Sequence, residues 1–391
     1  MSLAKKISAD IVAAVASLST ERPIPLHEPD LGENEIRSVK EVVSSGYIST
    51  VGPAVKEFER LLCEYIGVKH VIAVSSGTAA LHASLSILTN PNDEILMPSL
   101  SFVATANAAR YCGAIPHFVD VDRQTLGICP DSLKSWLRFI GEKTSQGLRN
   151  KVSGRRIRML VPMHTFGQPC EMESLKNICE THHMWLVEDG AESLGTLYKG
   201  RHMGTFGDLG CVSFNGNKII TTGGGGAITT NNDTLANKVR HVVNTAKIPH
   251  PWEYLHDNVG FNYRMPALNA ALGCGQLERI EELVERKRQV FRHYQEHFRD
   301  SKEVKLYSEI EGARSNYWLN IIMLNLPSSK IIEDVLTETH QSSLYCRPCW
   351  KLLHTLPMYT NSPASPLLVS QELAQKIINL PSSAKLWQKT S

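Results

Sequence analysis

The chain has 391 residues, enough to bury a large core and to build two or three domains. Charged residues make up 20% of it and the formal net charge is only +2, which argues against a nucleic-acid-binding surface with its marked basic excess. No apolar run approaches the roughly 20 residues that span a bilayer, and nine cysteines without framework spacing indicate free thiols in a reducing, cytoplasmic setting.

In chain order, Lys5 and Lys6 precede small apolar residues in faint imitation of a signal peptide. Asp10 interrupts the apolar part, and Ile7, Ile11, Val15 and Leu18 follow helix spacing, so residues 1–24 are read as an amphipathic helical segment. From about residue 70 to 230, β-rich runs alternate with helical ones, which predicts an α/β domain over residues 25–264. V-I-A-V (71–74), E-I-L-M-P, P-H-F-V-D-V, R-M-L-V-P and M-W-L-V-E-D read as strands. A-A-L-H-A-S-L-S-I-L, F-V-A-T-A-N-A-A-R-Y and C-E-M-E-S-L-K-N-I-C-E-T read as helices. After Met265 a single long helical run carries Leu268, Leu272, Leu277, Ile280, Leu283 and Val284 on one face and charges on the other. It leads into a smaller α+β domain, with Y-W-L-N-I-I-M-L strand-like and a helix near Ser329–Thr339, so that 265–391 form a linking helix and C-terminal domain. Cys346-Arg347-Pro348-Cys349 lacks the strand-to-helix context of a redox pair and the second ligand pair of a zinc site, and no metal is expected.

Three stretches gather chemistry. S-S-G-T-A-A-L-H, from Ser75 to His82, joins a strand to a helix start, where free N–H groups and the helix dipole suit an anion. An ordinary N-cap reads the same way. In V-E-D-G-A-E-S, Glu188 and Asp189 end an apolar strand, where open α/β sheets place ligand groups. Asp189 there suits a cationic ring nitrogen, an amine or a metal, or the two acids are simply solvated. S-F-N-G-N-K-I-I-T-T-G-G-G-G (213–226) is not a phosphate-binding P-loop, since Asn217 precedes Lys218 and the glycines follow it. An anion site, a strand-end aspartate and a lysine together are what pyridoxal phosphate requires: a helix N-terminus for its phosphate, an acid for its pyridine nitrogen and an amine for its aldehyde.

These residues resemble the DegT/StrS family of nucleotide-sugar aminotransferases. The likeness runs from about residue 25 through S-G-Y-I-S-T-V-G-P, S-S-G-T-A-A-L, S-F-V-A-T-A-N-A, V-E-D-G-A-E-S-L-G, G-T-F-G-D, S-F-N-G-N-K and G-F-N-Y-R-M-P. It implies an aspartate-aminotransferase-like fold (fold type I), with a large α/β domain around a mainly parallel sheet and a smaller C-terminal α+β domain. Pyridoxal 5'-phosphate is the implied cofactor, with pyridoxamine 5'-phosphate as its other form. Lys218 then matches the Schiff-base lysine, Asp189 the pyridine-nitrogen partner and Phe102 the aromatic stacked on the ring. Gly77, Thr78 and Ser213 match phosphate contacts, and Asn262 a phosphate contact made from a partner subunit, which implies a homodimer. Arg264 matches either a contact for the amino donor's carboxylate or a structural ion pair.

Glu192, where many members carry His or Gln, looks typical of enzymes acting on 4-keto-6-deoxy sugars. L-M-P-S-L-S-F, S-N-Y-W-L-N and R-P-C-W-K-L-L-H look most like the branch that aminates UDP-linked 4-keto-6-deoxy-N-acetylhexosamines, with L-glutamate as donor. Arg347, Trp350 and His354 would then touch the nucleotide sugar or serve packing alone. A GDP-linked 4-keto-6-deoxymannose and a keto-octulosonate are the alternative acceptors. Three other classes are weighed. A sugar dehydratase of this fold has histidine in place of the lysine, and an NAD-linked oxidoreductase would need a G-x-G-x-x-G that is missing. A non-catalytic cofactor-binding regulator stays open.

Overall fold

The computed structural model describes residues 2–387. Its centre is a sheet whose main path runs His70–Val74, Gly226–Thr230, Leu209–Ser213, Trp185–Asp189, Arg156–Leu160, Glu94–Pro98, Ile115–Val119. All neighbours pair parallel except Gly226–Thr230, which is antiparallel to both of its neighbours. These strands are buried along nearly their whole length, because helices cover both faces, and their sequences are accordingly continuous apolar runs rather than alternating ones. The parallel strands therefore end on one edge, and Ser75–Thr78, Asp189 and Ser213 follow or close three of them there.

Two glycines let that edge close up. A Cβ on Gly226 would lie 2.5 Å from the backbone carbonyl of Ser76, and one on Gly77 would lie 2.8 Å from Cβ of Ser213. Any side chain at either position would push the helix Gly77–Ser86 off the strand ends. Of the glycine run after Lys218, Gly226 provides this close passage, while Gly224 and Gly225 line the cavity beside it.

The smaller domain holds an antiparallel sheet in the order Val304–Leu306, Asn320–Leu324, Ile377–Leu380, Arg347–Pro348, covered by the helix Ser329–Gln341. The N-terminal helix Leu3–Ala16, capped by the Ser2 hydroxyl, buries Ile7, Ile11 and Val15 against this same core. Chain start and chain end therefore share one apolar cluster with Tyr294, Val335 and Ile378.

Two expectations need correction. The run after Met265 is not one helix but two, Ala267–Leu277 and Ile280–His297. Arg279 leaves helical geometry at φ −115° and its guanidinium pairs with Asp30 at 3.1 Å, an anchor that a straight helix would move. The second concerns Y-W-L-N-I-I-M-L, whose strand begins only at Asn320. Tyr317 sits at φ +45°, and Trp318 N–H donates to Asn316 Oδ1 at 2.8 Å, so the first part of the run is a turn. Cys346 and Cys349 are buried free thiols, and burial pushes both up to about 12. Among the described residues no helix is long and apolar enough to cross a membrane.

Candidate active site

The strand ends and the following loops enclose a cavity of about 250 Å³. Gly77, Thr78, Phe102, Asp189, Glu192, Ser213, Lys218 and Trp350 all line it. Its floor is built by local structure. In the helix Gly77–Ser86, the N-cap Ser76 takes the Ala79 N–H on its side chain at 3.0 Å and the Ala80 N–H on its carbonyl. The first-turn N–H groups of Gly77 and Thr78 are left for another acceptor. The Gly77 approach described above brings Ser213 Oγ beside them, so donors from two elements converge at the positive end of one helix.

Glu188 and Asp189 are not the solvated pair that their strand-end position allowed; both are buried, at 0% and 2% exposure. Asp189 opens on the cavity. Its Oδ2 accepts from Thr105 Oγ1 at 2.6 Å and its Oδ1 from Ala191 N–H at 3.2 Å. Burial pushes its carboxyl up, against the pull of those two donors. No side-chain cation among the described residues forms an ion pair with it. Glu188 lies outside the cavity. It pairs with His164 Nε2 at 3.0 Å and accepts the backbone N–H groups of Gly204, Phe206 and Gly207, each at 2.7 Å. Burial opposes its charge, but His164 and the amides outweigh that and hold its carboxyl below the usual range.

Lys218 sits in the loop that leaves the strand Leu209–Ser213, with its N–H on Asn215 O at 3.0 Å. Its Nζ is 3.3 Å from Glu192 Oε1 and 3.9 Å from the centre of the Trp318 ring. Glu192 also accepts the Phe166 N–H at 2.9 Å. Burial pushes its carboxyl up to about 7, with Lys218 and that amide pulling the other way. Phe102 is half-exposed and presents a ring to the cavity. Trp350 stands edge-on to it at 6.4 Å and stacks on Phe166 at 4.9 Å.

Four of the residues singled out in the sequence do not reach this cavity within the chain. Asn262 is exposed beside Asn244, and Arg264 bridges to the strand His70–Val74 while its guanidinium donates to the Thr50 carbonyl. Arg347 is exposed on the strand Arg347–Pro348, and His354 Nδ1 bonds Ser99 Oγ at 2.7 Å. Conversely, Met163, Asn215, Asn217 and Trp318 line the cavity and Thr105 backs it through Asp189, and none of these was singled out as a site residue in the sequence. Thr105 lies three residues past Phe102 in the following helix, and a polar residue on an otherwise alanine-rich face was the available signal. Trp318 fell within the quoted stretch S-N-Y-W-L-N, but nothing there pointed to Lys218, because the two lie 100 residues apart in sequence.

The donor set fits pyridoxal phosphate. Backbone donors at a helix start suit its phosphate, a buried carboxylate lacking an ion-pair partner suits a protonated ring nitrogen, and an amine stands between them. Sheet order and site together define a pyridoxal-phosphate-dependent transferase of fold type I. Residues 29–391 match the DegT/DnrJ/EryC1/StrS aminotransferase family, and the chain belongs to it, as a sugar aminotransferase that uses pyridoxal phosphate. It is 34% identical to the GDP-perosamine synthase of Vibrio cholerae over 92% of this chain and 94% of that one. It is also 34% identical to the putative pyridoxal phosphate-dependent aminotransferase EpsN of Bacillus subtilis, over 93% and 92%. Among solved structures, the aminotransferase TlmJ of Streptoalloteichus hindustanus superposes with a TM-score of 0.82 at 28% identity, covering 92% of this chain and 93% of the other.

Proposed function

We propose that this enzyme moves the amino group of L-glutamate to C4 of a UDP-linked 4-keto-6-deoxy-N-acetylhexosamine, in the cytoplasm, for surface polysaccharide or nonulosonic-acid biosynthesis. The observation that carries the amino-transfer part is one cavity shared by a helix N-terminus, the Asp189 carboxyl and the Lys218 amine. Bound pyridoxal phosphate supplies the electron sink on which amino transfer depends. Gly77, Thr78 and Ser213 hold its phosphate, which carries about −1.5 to −2 charges. Asp189, steadied by Thr105, keeps the ring nitrogen protonated, and Phe102 covers the ring. Lys218 Nζ is the covalent anchor and, when free, takes and returns the substrate's proton. Glu192, held at its other oxygen by the Phe166 amide, orients that Nζ.

Trp350, which lines the cavity, would touch the sugar, and Arg347 and His354, which do not line it, would touch the nucleotide. The exposed Asn262 is free to reach the phosphate of a second copy, and Arg264 is the remaining candidate for the glutamate carboxylate, so the working unit is a homodimer. The UDP carrier rests on the local stretches S-N-Y-W-L-N and R-P-C-W-K-L-L-H. A second reading, a GDP-linked 4-keto-6-deoxymannose as acceptor, is favoured by the GDP-perosamine synthases of Vibrio cholerae and Escherichia coli O157:H7, at 34% and 32% identity.

Purified protein loaded with cofactor is expected to show a visible absorbance that glutamate bleaches and the correct keto-sugar restores. A panel of UDP-, GDP- and dTDP-linked keto-sugars, read by product mass, names the carrier. A band that survives in Lys218→Ala contradicts the role of that lysine, and restoration by the GDP sugar alone replaces the first reading with the second. A regulator would bind cofactor and release no 2-oxoglutarate.

A further inference from the structure

A residue to which the sequence assigned no role of its own, Trp318 in S-N-Y-W-L-N, touches the reacting amine from two sides. The Trp318 ring lies under Lys218 Nζ at 3.9 Å, and its Nε1–H donates to the carbonyl of Asn217, the residue before the lysine, at 2.7 Å. Trp318 is itself fixed along its backbone. Its N–H donates to Asn316 Oδ1, while Asn316 Nδ2 donates to the carbonyls of Glu192 and Leu194, both at 2.8 Å. Gly167 makes room for this turn, since a Cβ there would lie 2.0 Å from Asn316 Oδ1 and 3.0 Å from Trp318 N. The Trp318 carbonyl takes a hydrogen bond from Lys287 Nζ at 3.1 Å, and the same amine donates to the Ser382 carbonyl.

Lys287 is unusual in its own right. It is 1% exposed and, among the described residues, forms no ion pair with a carboxylate. Burial pushes its amine well below the ordinary lysine range. A buried lysine without a counter-charge is costly, so its two carbonyl bonds call for an explanation. Those bonds tie the Trp318 turn to the end of the strand Ile377–Leu380 in the smaller domain.

We propose that Trp318 is the seat of Lys218 whenever its amine is free, and that Lys287 is a positioning residue that pins this seat to the smaller domain. The ring face and the Glu192 carboxyl hold the amine between them, in the cavity that Asp189 also lines. In amino transfer a lysine must leave its covalent bond and return to it, moving a proton in between. A rigid aromatic seat keeps it from wandering to solvent during that interval.

This rests on Lys218 being the reacting amine, but the test reads the seat without turnover, so either idea can fail alone. Cofactor-free full-length protein is labelled with acetic anhydride and the acylation rate of Lys218 is read by peptide mass spectrometry, relative to exposed Lys330. Acylation needs the amine's lone pair to be reachable, so an amine bonded to Glu192 and covered by a ring face reacts slowly. Trp318→Leu is expected to raise the Lys218 rate about three- to tenfold, while Trp318→Phe, which keeps a ring face, stays closer to wild type. Lys287→Met, if folded by circular dichroism, is expected to shift the rate the same way by less. An unchanged rate in Trp318→Leu, or equal rates in the Phe and Leu variants, overturns the seat; an unchanged rate in folded Lys287→Met overturns the role of Lys287. A second readout needs no substitution in the seat. The ε-methylene protons of Lys218, assigned by their loss in Lys218→Ala, are expected upfield of those of exposed lysines because of the ring current. A signal in the exposed range overturns the proposal even where the variants do not fold.

Discussion

Glu188 and Asp189 are neighbours on one strand, yet they serve two regions of the molecule. Asp189 opens on the cavity, where a hydroxyl and an amide hold it and no protein cation pairs with it. Glu188 turns to the opposite side of the sheet, where His164 and three amides of the 204–207 loop satisfy it completely. Alternation along a strand sends adjacent side chains to opposite faces, so one acid is left for a ligand and the other is consumed by the fold. Charge and burial are nearly the same for both; the completeness of the partner set separates chemistry from structure.

Variants can break or sharpen that contrast. Asp189→Asn is expected to lower kcat by about 10²–10³-fold, in line with the ~3–5 kcal/mol lost when a buried pair loses a partner, and to weaken cofactor affinity less. Steady-state kinetics with an independent cofactor titration separates the two effects. Glu188→Gln is expected to do the reverse. It strips His164 of its counter-charge at a cost of about 3–5 kcal/mol, seen as a lower melting temperature, while turnover per folded molecule stays near wild type. A Glu188 variant of normal stability and poor turnover would erase the distinction.

Glu192 stands between the two cases, buried like Glu188 but facing the cavity like Asp189. Its folded carboxyl is pushed up to about 7, above an ordinary value of 4.5. The stability tied to it is therefore full below about pH 4.5 and is lost as pH rises toward 7, by at most about 3 kcal/mol. Thermal melts across that window are expected to show a shallower decline in Glu192→Gln than in wild type. The smallest effect is at Thr105→Val, which removes one bond to the Asp189 carboxyl. A bond to a charged group is worth roughly 1.5–3 kcal/mol, and about tenfold in kcat is expected with little change in melting temperature.

The sequence made the floor of the site legible because that floor is local. Each motif there is a strand end joined directly to a helix or loop, so Gly77, Thr78, Asp189 and Lys218 could be singled out from neighbours in the chain, while Ser213 came only with the family resemblance; all five line the cavity. The strands followed for the same reason, as continuous apolar runs bounded by turn residues. What could not be read was set by distance along the chain. Trp318 meets Lys218 across a hundred residues, and Glu188 finds His164 in the loop that follows the neighbouring strand Arg156–Leu160. The break falls at Arg279, whose guanidinium pairs with Asp30 some 250 residues earlier. Helix periodicity continues through that position unbroken and gives no sign of it. Asn262, Arg264, Arg347 and His354 stand apart from the cavity of the single chain, so neither chain neighbours nor the fold brings them to it.

The proposed transfer of nitrogen from glutamate to a keto-sugar through Lys218 is read by incubating the loaded enzyme with ¹⁵N-glutamate and nucleotide-linked 4-keto-6-deoxyhexoses, then weighing the sugar product. The expected result is an amino sugar one mass unit heavier than that from unlabelled glutamate, formed together with 2-oxoglutarate and lost by at least about 10³-fold in Lys218→Ala. Unlabelled product, or labelled product at an undiminished rate in Lys218→Ala, would contradict it.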